Sequence, residues 1–445
     1  MQLRKAAHEA KHISAKQAAS LVKSGMWLDY ATSLCQPDVF DHALGERITE
    51  LSDIKIRHCL TMRPRGYIDR DPEGKHAHGF SLHFSGYDRK QHDAGRCSYL
   101  PVNLGEITDY YRRFIPPVDI LIIKCAPIDE NGYFNFGPSN LWHRAIVERA
   151  KLVIVEVNAS NIYVFGEGTG VHVSEVDYIL DGDDAPPVVL PNPAATPIDL
   201  AVAKSIAAEI SDGACLQIGI GGMPNAVCSA LLESGVKDLG VHTEMMTDGI
   251  AALIKAGRVT NARKSLNKGK SIYSFALGSA ELYTLLDRNP DILAFPVEHT
   301  NLPSNIMQND NVISINSTTQ IDLQGQAASE SDGNRHVTGT GGQLQFVRGA
   351  YASKGGKSFI CLPSTYDKKG ERRSRIVMNL THGNIVTTPR TDVMYVVTEF
   401  GIVNLKGKSV PERAQALISI AHPDFREALE HQAHEHKIIP KGFTF

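Results

Sequence analysis

Glu244 and two glycine clusters are the features of this 445-residue chain whose residue types best suit covalent chemistry. Glu244 stands in VHTEMMTDG (residues 241–249). There a strand-compatible lead, DLGVHTEMM, gives way to Asp-Gly and then to the helix-like AALIKAG. A carboxylate at the C-terminal end of a strand faces the crevice in which open α/β sheets bind ligands. The first glycine cluster is QIGIGGMPN (217–225). Its glycines let the backbone turn sharply, and N–H groups exposed at the start of the next helix would hold an anion or an oxyanion. The G-x-G-G-x-P spacing departs from the G-x-G-x-x-G of a dinucleotide site. The second cluster, TGTGGQ (338–343), leads into FVRGA and lets a ligand approach the main chain closely. Both clusters have a plain alternative as tight turns without a ligand. Lys354 and Lys357 in KGGK, and Lys406 and Lys408 in KGK, have the chemistry to pair with phosphates, although such pieces are more often solvated loops.

Other candidates carry less. Glu130 sits in DENGYFNFGP (129–138), where an Asn-Gly turn followed by alternating aromatic and polar residues is foremost a hairpin signal. The seven cysteines (35, 59, 97, 125, 215, 228 and 361) include no C-x-x-C pair, so no metal is expected. The histidines at 76, 78 and 83, and at 431, 434 and 436, have no carboxylates at a familiar ligand spacing. There is no G-x-S-x-G elbow and no Walker A loop.

The elements that must position these residues alternate. Near-continuous apolar runs predict buried strands at Asp119–Cys125 and Leu152–Val157, with others at Cys215–Ile220, Val312–Asn316, Ser358–Leu362 and Val393–Thr398. Between strands lie amphipathic stretches such as Pro197–Ile210, in which Ile198, Val202, Ile206 and Ile210 recur every four residues behind a helix-starting proline. Strands alternating with helices predict an α/β fold with largely parallel sheets. The Asp- and Pro-rich stretch 181–197 marks a boundary, giving domains of residues 1–195 and 196–445.

Composition narrows the class. With 42% hydrophobic and 21% charged residues the chain is neither disordered nor fibrous. A net charge of −3 argues against a nucleic-acid or anionic-membrane partner. No run approaches the length of a membrane span, and MQLRKAAHEAKHISAK lacks the apolar stretch of a leader. An odd, sparse cysteine set fits reduced thiols, so the expectation is a cytoplasmic enzyme.

GIGGMPNA, HTEMMTDG and GTGGQLQFVRGAYASKGGKS occur here together with APIDENGYFNFGPS, VISINSTTQIDLQGQ, YVVTEFGIVNLKGKS and ALISIAHPDFRE. In this combination and order the chain resembles, nearly end to end, the short-chain acyl-CoA:carboxylate CoA-transferases. That family includes 4-hydroxybutyrate CoA-transferase, butyryl-CoA:acetate CoA-transferase and acetyl-CoA hydrolase/transferase. SGMWLDYA and ACLQIGIGGMPNAV look closest to the butyryl-CoA:acetate branch. The resemblance implies two tandem open α/β domains of similar topology, with the active site in the cleft between them. It implies Glu244 as the nucleophile of a ping-pong exchange through a glutamyl-CoA thioester, with Asn301 of HTNLPS beside it. Gly221, Gly222 and Gly342 would supply oxyanion donors, and Gly341, Gly342, Lys354 and Lys406 would contact CoA. Glu130 is then a decoy. Coenzyme A and short-chain carboxylic acids enter as substrates, no cofactor is bound permanently, and a homo-oligomer is expected.

The segment YATSLCQPDVF departs from the family's Gly-rich pattern. With HGFSLHFSGYDRK it is expected to line the acyl pocket, which opens a dicarboxylate such as succinate or itaconate as an alternative substrate. The further alternatives are an acyl-CoA hydrolase and a non-catalytic CoA-binding sensor.

Overall fold

The computed structural model describes residues 11–440 and 442. The start of the charged N-terminal segment and the last residues of the irregular C-terminal finish lie outside the described residues. The chain forms two compact units: one runs to Leu190 and takes in Tyr273–His299, the other holds Pro191–Ile272 and the chain from Thr300 onward. This corrects the expected division into uninterrupted segments at residue 195. The reason is backbone pairing: Leu293 and Ala294 pair with Phe165 and Gly166, Asn140 N–H donates to Ser274 O, and Val297 N–H donates to Leu141 O. None of these long-range bonds leaves a local trace in the sequence.

The first unit is built on a seven-stranded sheet. Its order is Tyr178–Asp181, Ala150–Val157, Val118–Cys125, Trp27–Thr32, Ile54–Cys59, Ala77–Ser81 and Cys97–Tyr99, and every pairing is parallel. Ile120 to Ile123 are all fully buried, as expected of a strand covered on both faces. Leu28, Tyr30, Ile54 and Ile56 meet Phe40, Leu44 and Ile48 of the neighbouring helical segments in one core cluster. The helix Val39–Arg47 lacks a side-chain cap from its own N-cap residue, Asp38. Glu156, at the end of its strand, supplies the cap instead, accepting from the N–H groups of Asp38, Val39 and Phe40.

The second unit carries a six-stranded sheet in the order Gly240–Val241, Cys215–Ile218, Val312–Ser317, Lys357–Cys361, Tyr395–Thr398 and Gly401–Asn404. All pairs are parallel except the last. The helix Pro197–Ala207 opens on a Thr196–Asp199 capping box and buries Val202, Ala203, Ile206 and Ala207. It stops three residues short of the expected Ile210. Parallel strands bring their C-terminal ends, Val241, Ile218, Ser317, Cys361 and Thr398, to one edge, where the candidate chemistry lies.

Candidate active site

Glu244 lies three residues past the end of the short strand Gly240–Val241. The intervening chain is fixed by backbone bonds on both sides, His242 N–H to Leu216 O and Thr243 N–H to Ile272 O. The His242 ring Nε2 lies 2.9 Å from Thr300 O, which ties the segment to the neighbour of Asn301. Asn301 is fully buried, and its Nδ2 donates to Glu244 Oε2 at 2.5 Å. The amide is oriented by Thr300, whose hydroxyl donates to Asn301 Oδ1 at 2.8 Å and leaves the NH₂ end for the glutamate. Glu244 itself is partly exposed. Asn301 makes the only hydrogen bond to its carboxylate among the described residues. Burial pushes the Glu244 carboxyl from the usual 4.5 up to about 7, the Asn301 bond acting in the opposite direction.

Gly342 completes this cluster. It is the N-cap of the helix Gln343–Ala352, and a Cβ there would collide with Glu244 Oε2 and Asn301 Nδ2. Only glycine lets the main chain come this close to the carboxylate. Gly341 precedes it with φ +60°, in the left-handed region. Gly221, with φ +126°, caps the helix Gly222–Ser234 at the end of the strand next to Glu244's own. Pro224 is the third residue of that helix, within the turn whose N–H groups need no intrahelical partner. Gly221 and Gly222 line a cavity of about 200 Å³ with Ile220, Ser317, Cys361 and Leu362.

The structure therefore brings Glu244, Asn301 and Gly342 into contact and places Gly221, Gly222 and Gly341 on the same sheet edge. It does not bring the two lysines there. Lys354 is exposed, beyond the C-terminal end of the ten-residue helix that Gly342 begins. That helix length alone is about 15 Å. Lys406 follows the antiparallel strand Gly401–Asn404, whose Asn404 pairs with Tyr395 at the start of its neighbour. Its ammonium donates to Thr391 O and lies 4.4 Å from the Tyr351 ring centre. Both lysines thus sit at the opposite edge of the sheet from Glu244. Glu130 is exposed at the tip of a turn closed by Asp129 N–H to Tyr133 O.

Sequence reasoning missed Lys264, which is buried and donates to Val241 O at 2.8 Å and Lys270 O at 2.7 Å, bracing the strand end before Glu244. Burial lowers its ammonium to about 8. A lysine in a loop of mixed composition gave no signal of this role.

The first unit holds a second polar cavity. Ser33, Leu34, Gln36 and Asp38 line it with Met62, and Arg63, Arg65 and Lys124 all pair with Asp38. Ser33 Oγ, Gln36 Oε1 and Asn161 Nδ2 are buried without a hydrogen-bond partner, and Ser33 holds φ +50°. The stretch 78–90, expected alongside YATSLCQPDVF, does not line this cavity.

Comparison with known proteins agrees with this architecture. The acetyl-CoA hydrolase/transferase N-terminal domain matches residues 1–191 and the C-terminal domain of the same family matches residues 278–433. A butyryl-CoA:acetate CoA-transferase of Anaerostipes caccae is 45% identical over 97% of this chain and 97% of that protein. A 4-hydroxybutyrate coenzyme A transferase of Clostridium kluyveri is 38% identical over 95% of this chain and 97% of its own length. The crystal structure of RipA from Yersinia pestis superposes with a TM-score of 0.90 at 38% identity, covering 98% of this chain and all of that one. Both domains are matched in order and the relatives align from end to end, so the chain belongs to the acetyl-CoA hydrolase/transferase family.

Proposed function

We propose that the protein moves CoA from a short-chain acyl-CoA to a free carboxylate, with butyryl-CoA and acetate as the favoured pair, through a glutamyl-CoA thioester on Glu244. The observation that carries this reading is the Glu244 carboxylate itself: one oxygen is held by Asn301, the other accepts no hydrogen bond among the described residues, and the glycine at 342 leaves the approach open.

The carboxylate oxygen attacks the donor carbonyl and the C–S bond breaks. CoA leaves as the thiolate, and an acyl-glutamyl anhydride remains. The thiolate then attacks the glutamyl carbonyl, the anhydride C–O bond breaks, and the donor acid departs as a carboxylate. The acceptor carboxylate runs the same two steps in reverse. Each addition places negative charge on a carbonyl oxygen, where main-chain N–H groups at Gly342 and at the Gly221–Gly222 turn are suited to receive it. A glutamate titrating near 7 is a stronger nucleophile, once ionised, than one at its ordinary acidity, and about half of it is ionised at neutral pH. Cytoplasmic placement and a homo-oligomer belong to the same reading, on the strength of the family resemblance.

A second reading, in which a dicarboxylate is the acyl group or acceptor, rests on the departure of YATSLCQPDVF from the family's Gly-rich pattern. A panel of acceptors from acetate to succinate separates the two by kcat/KM.

The decisive experiment is intact-protein mass spectrometry after incubation with butyryl-CoA, followed by peptide mapping. A CoA adduct on Glu244 is expected, and an adduct on any other residue would overturn the assignment. Release of CoA without an acceptor, at a rate comparable to exchange, would convert the reading to a hydrolase.

A further inference from the structure

The seven-stranded sheet of the first unit carries a pocket that the proposed chemistry does not use. It is walled by Trp27, Phe80, Leu82, Leu100, Tyr110 and Phe114, and its volume is about 360 Å³, within the range of small-molecule sites. Leu28, Tyr30, Ile54 and Ile56 alternate along the same strands and pack into the core on the other face of the sheet. No residue is shared with the cavity around Asp38. Phe114 stands 63% exposed at the rim.

One charged side chain enters this apolar wall. Arg57 is 4% exposed, its Nη1 has no hydrogen-bond partner, and it forms no ion pair among the described residues. Its guanidinium lies 4.2 Å from the Trp27 ring centre and 5.9 Å from that of Tyr111. Two carboxylates send charge towards it, and both are committed elsewhere. Asp29 accepts from Ala31 N–H and the Tyr111 hydroxyl, and burial pushes it up to about 6. Asp119 accepts from Trp27 N–H and pairs with Lys151. With both carboxylates committed to other partners, the buried guanidinium keeps an unmet donor at Nη1 beside the aromatic wall.

We infer that this pocket binds an apolar carboxylate, a medium-chain aliphatic or aromatic acid whose head pairs with Arg57 and whose body lies against Trp27, Phe80 and Phe114. A single planar fork matches a monoanionic carboxylate. The other cation near Trp27, Lys55, stands 5.8 Å from its ring centre and is paired with Asp53; a single uncommitted fork suits a monoanion better than the phosphates of the nucleotide end of CoA. The ligand is a free acid larger than the short-chain acids of the proposed exchange, held at a site of its own.

Trp27 reports on the site directly, since it lines the pocket, whereas Trp142, the other tryptophan, is buried beside Tyr111 and outside the lining. Octanoate should change the emission of the full-length protein saturably, and Trp27→Phe should remove the change. Arg57→Met should weaken octanoate at least tenfold while leaving octan-1-ol unaffected, and Arg57→Lys should fall between. Phe114→Glu, at an exposed position that the fold does not need, should also abolish octanoate binding, which keeps the test valid if Arg57→Met fails to fold. Glu244→Ala should keep the full octanoate signal, so the result stands apart from the fate of the catalytic reading. The inference is overturned if octanoate has no saturable effect, if Arg57→Met binds it as well as the parent, or if Glu244→Ala loses it. It is equally overturned if Phe114→Glu alters only the oligomeric state, measured by light scattering, and leaves octanoate binding intact.

Discussion

Glu156 in the first unit and Glu244 in the second are both glutamates whose carboxyl pKa burial raises above its ordinary value, yet their surroundings differ in kind. Glu156 is fully buried and spends both oxygens on three main-chain N–H groups at the start of the helix Val39–Arg47. Glu244 is partly exposed and receives one donor, the Asn301 amide, on one oxygen. A carboxylate whose acceptor capacity is filled by the fold holds the fold together; one left half-filled beside a glycine is free to react. The pair shows that a raised pKa by itself does not separate the two glutamates, and that the count of committed acceptor sites does.

Exchanging the two fates is the strongest way to break this comparison. Glu244→Ala should lower CoA exchange by at least about 10³-fold while acyl-CoA still binds and the melting temperature holds. Glu156→Gln should do the reverse. It replaces one acceptor oxygen with an NH₂ group facing N–H donors, and should cost about 2–4 kcal/mol of stability, read by denaturant unfolding, while each folded molecule keeps its activity. Residual exchange above one part in a thousand in Glu244→Ala would end the case for covalent catalysis there.

The sequence exposed some of this contrast and hid the rest. The apolar runs read at Asp119–Cys125 and Leu152–Val157 appear as strands Val118–Cys125 and Ala150–Val157, because strands covered on both faces are continuous in apolar residues. Cys215–Ile220 is cut at Ile218, where the glycines turn the chain. Strands Trp27–Thr32, Ile54–Cys59 and Ala77–Ser81 escaped notice, since buried Asp29, Arg57, His58 and Ser81 interrupt their apolar pattern. Glu244 and Gly342 were legible from motif and resemblance. The sheet edge on which Lys354 and Lys406 fall was not, because Lys-Gly composition is the same at either edge and only strand topology distinguishes them.

A smaller perturbation tests whether the glycine matters to the glutamate rather than to the helix it caps. A methyl group on Gly342 meets Glu244 Oε2 and Asn301 Nδ2, so Gly342→Ala should cut exchange by about 10²-fold with a modest change in stability. Asn301→Ala removes the bond that favours the ionised carboxylate, and the pH at which activity appears should move upward. If Gly342→Ala instead unfolds the protein, the close approach serves packing and the comparison with Glu156 loses its sharpness.

Acidity supplies a quieter test of the same residue. Glu244 titrates near 7 in the folded protein against about 4.5 when unfolded, so the folded state holds this proton more tightly. The stability that the proton contributes is complete below about pH 4.5 and is lost as pH rises to 7. Glu244→Gln cannot ionise. It should match the parent near pH 4 and exceed it by about 2 kcal/mol near pH 8, a figure reduced for the partial exposure of the group. The kcat/KM of the parent for the donor should rise through an apparent pKa near 7 as the nucleophile ionises. A flat profile across that range would mean that another group limits the reaction.

The two lysines carry the smallest expected effect, and their value lies in that smallness. Lys354 is exposed beyond the C-terminal end of the helix that Gly342 begins, and Lys406 leans on Tyr351 at that same end. If the chemistry belongs to the edge where the parallel strands finish, Lys354→Ala and Lys406→Ala should each leave kcat within about twofold and change the KM for acyl-CoA by no more than about threefold, as expected of charges away from a site. Lys406→Ala should also lose a little stability, since its ammonium bonds Thr391 O and stacks on a ring. A tenfold rise in KM for acyl-CoA in either variant, with kcat unchanged, would show that CoA reaches the opposite edge, and the ligand path would have to run along the helix from Gly342 rather than end at it.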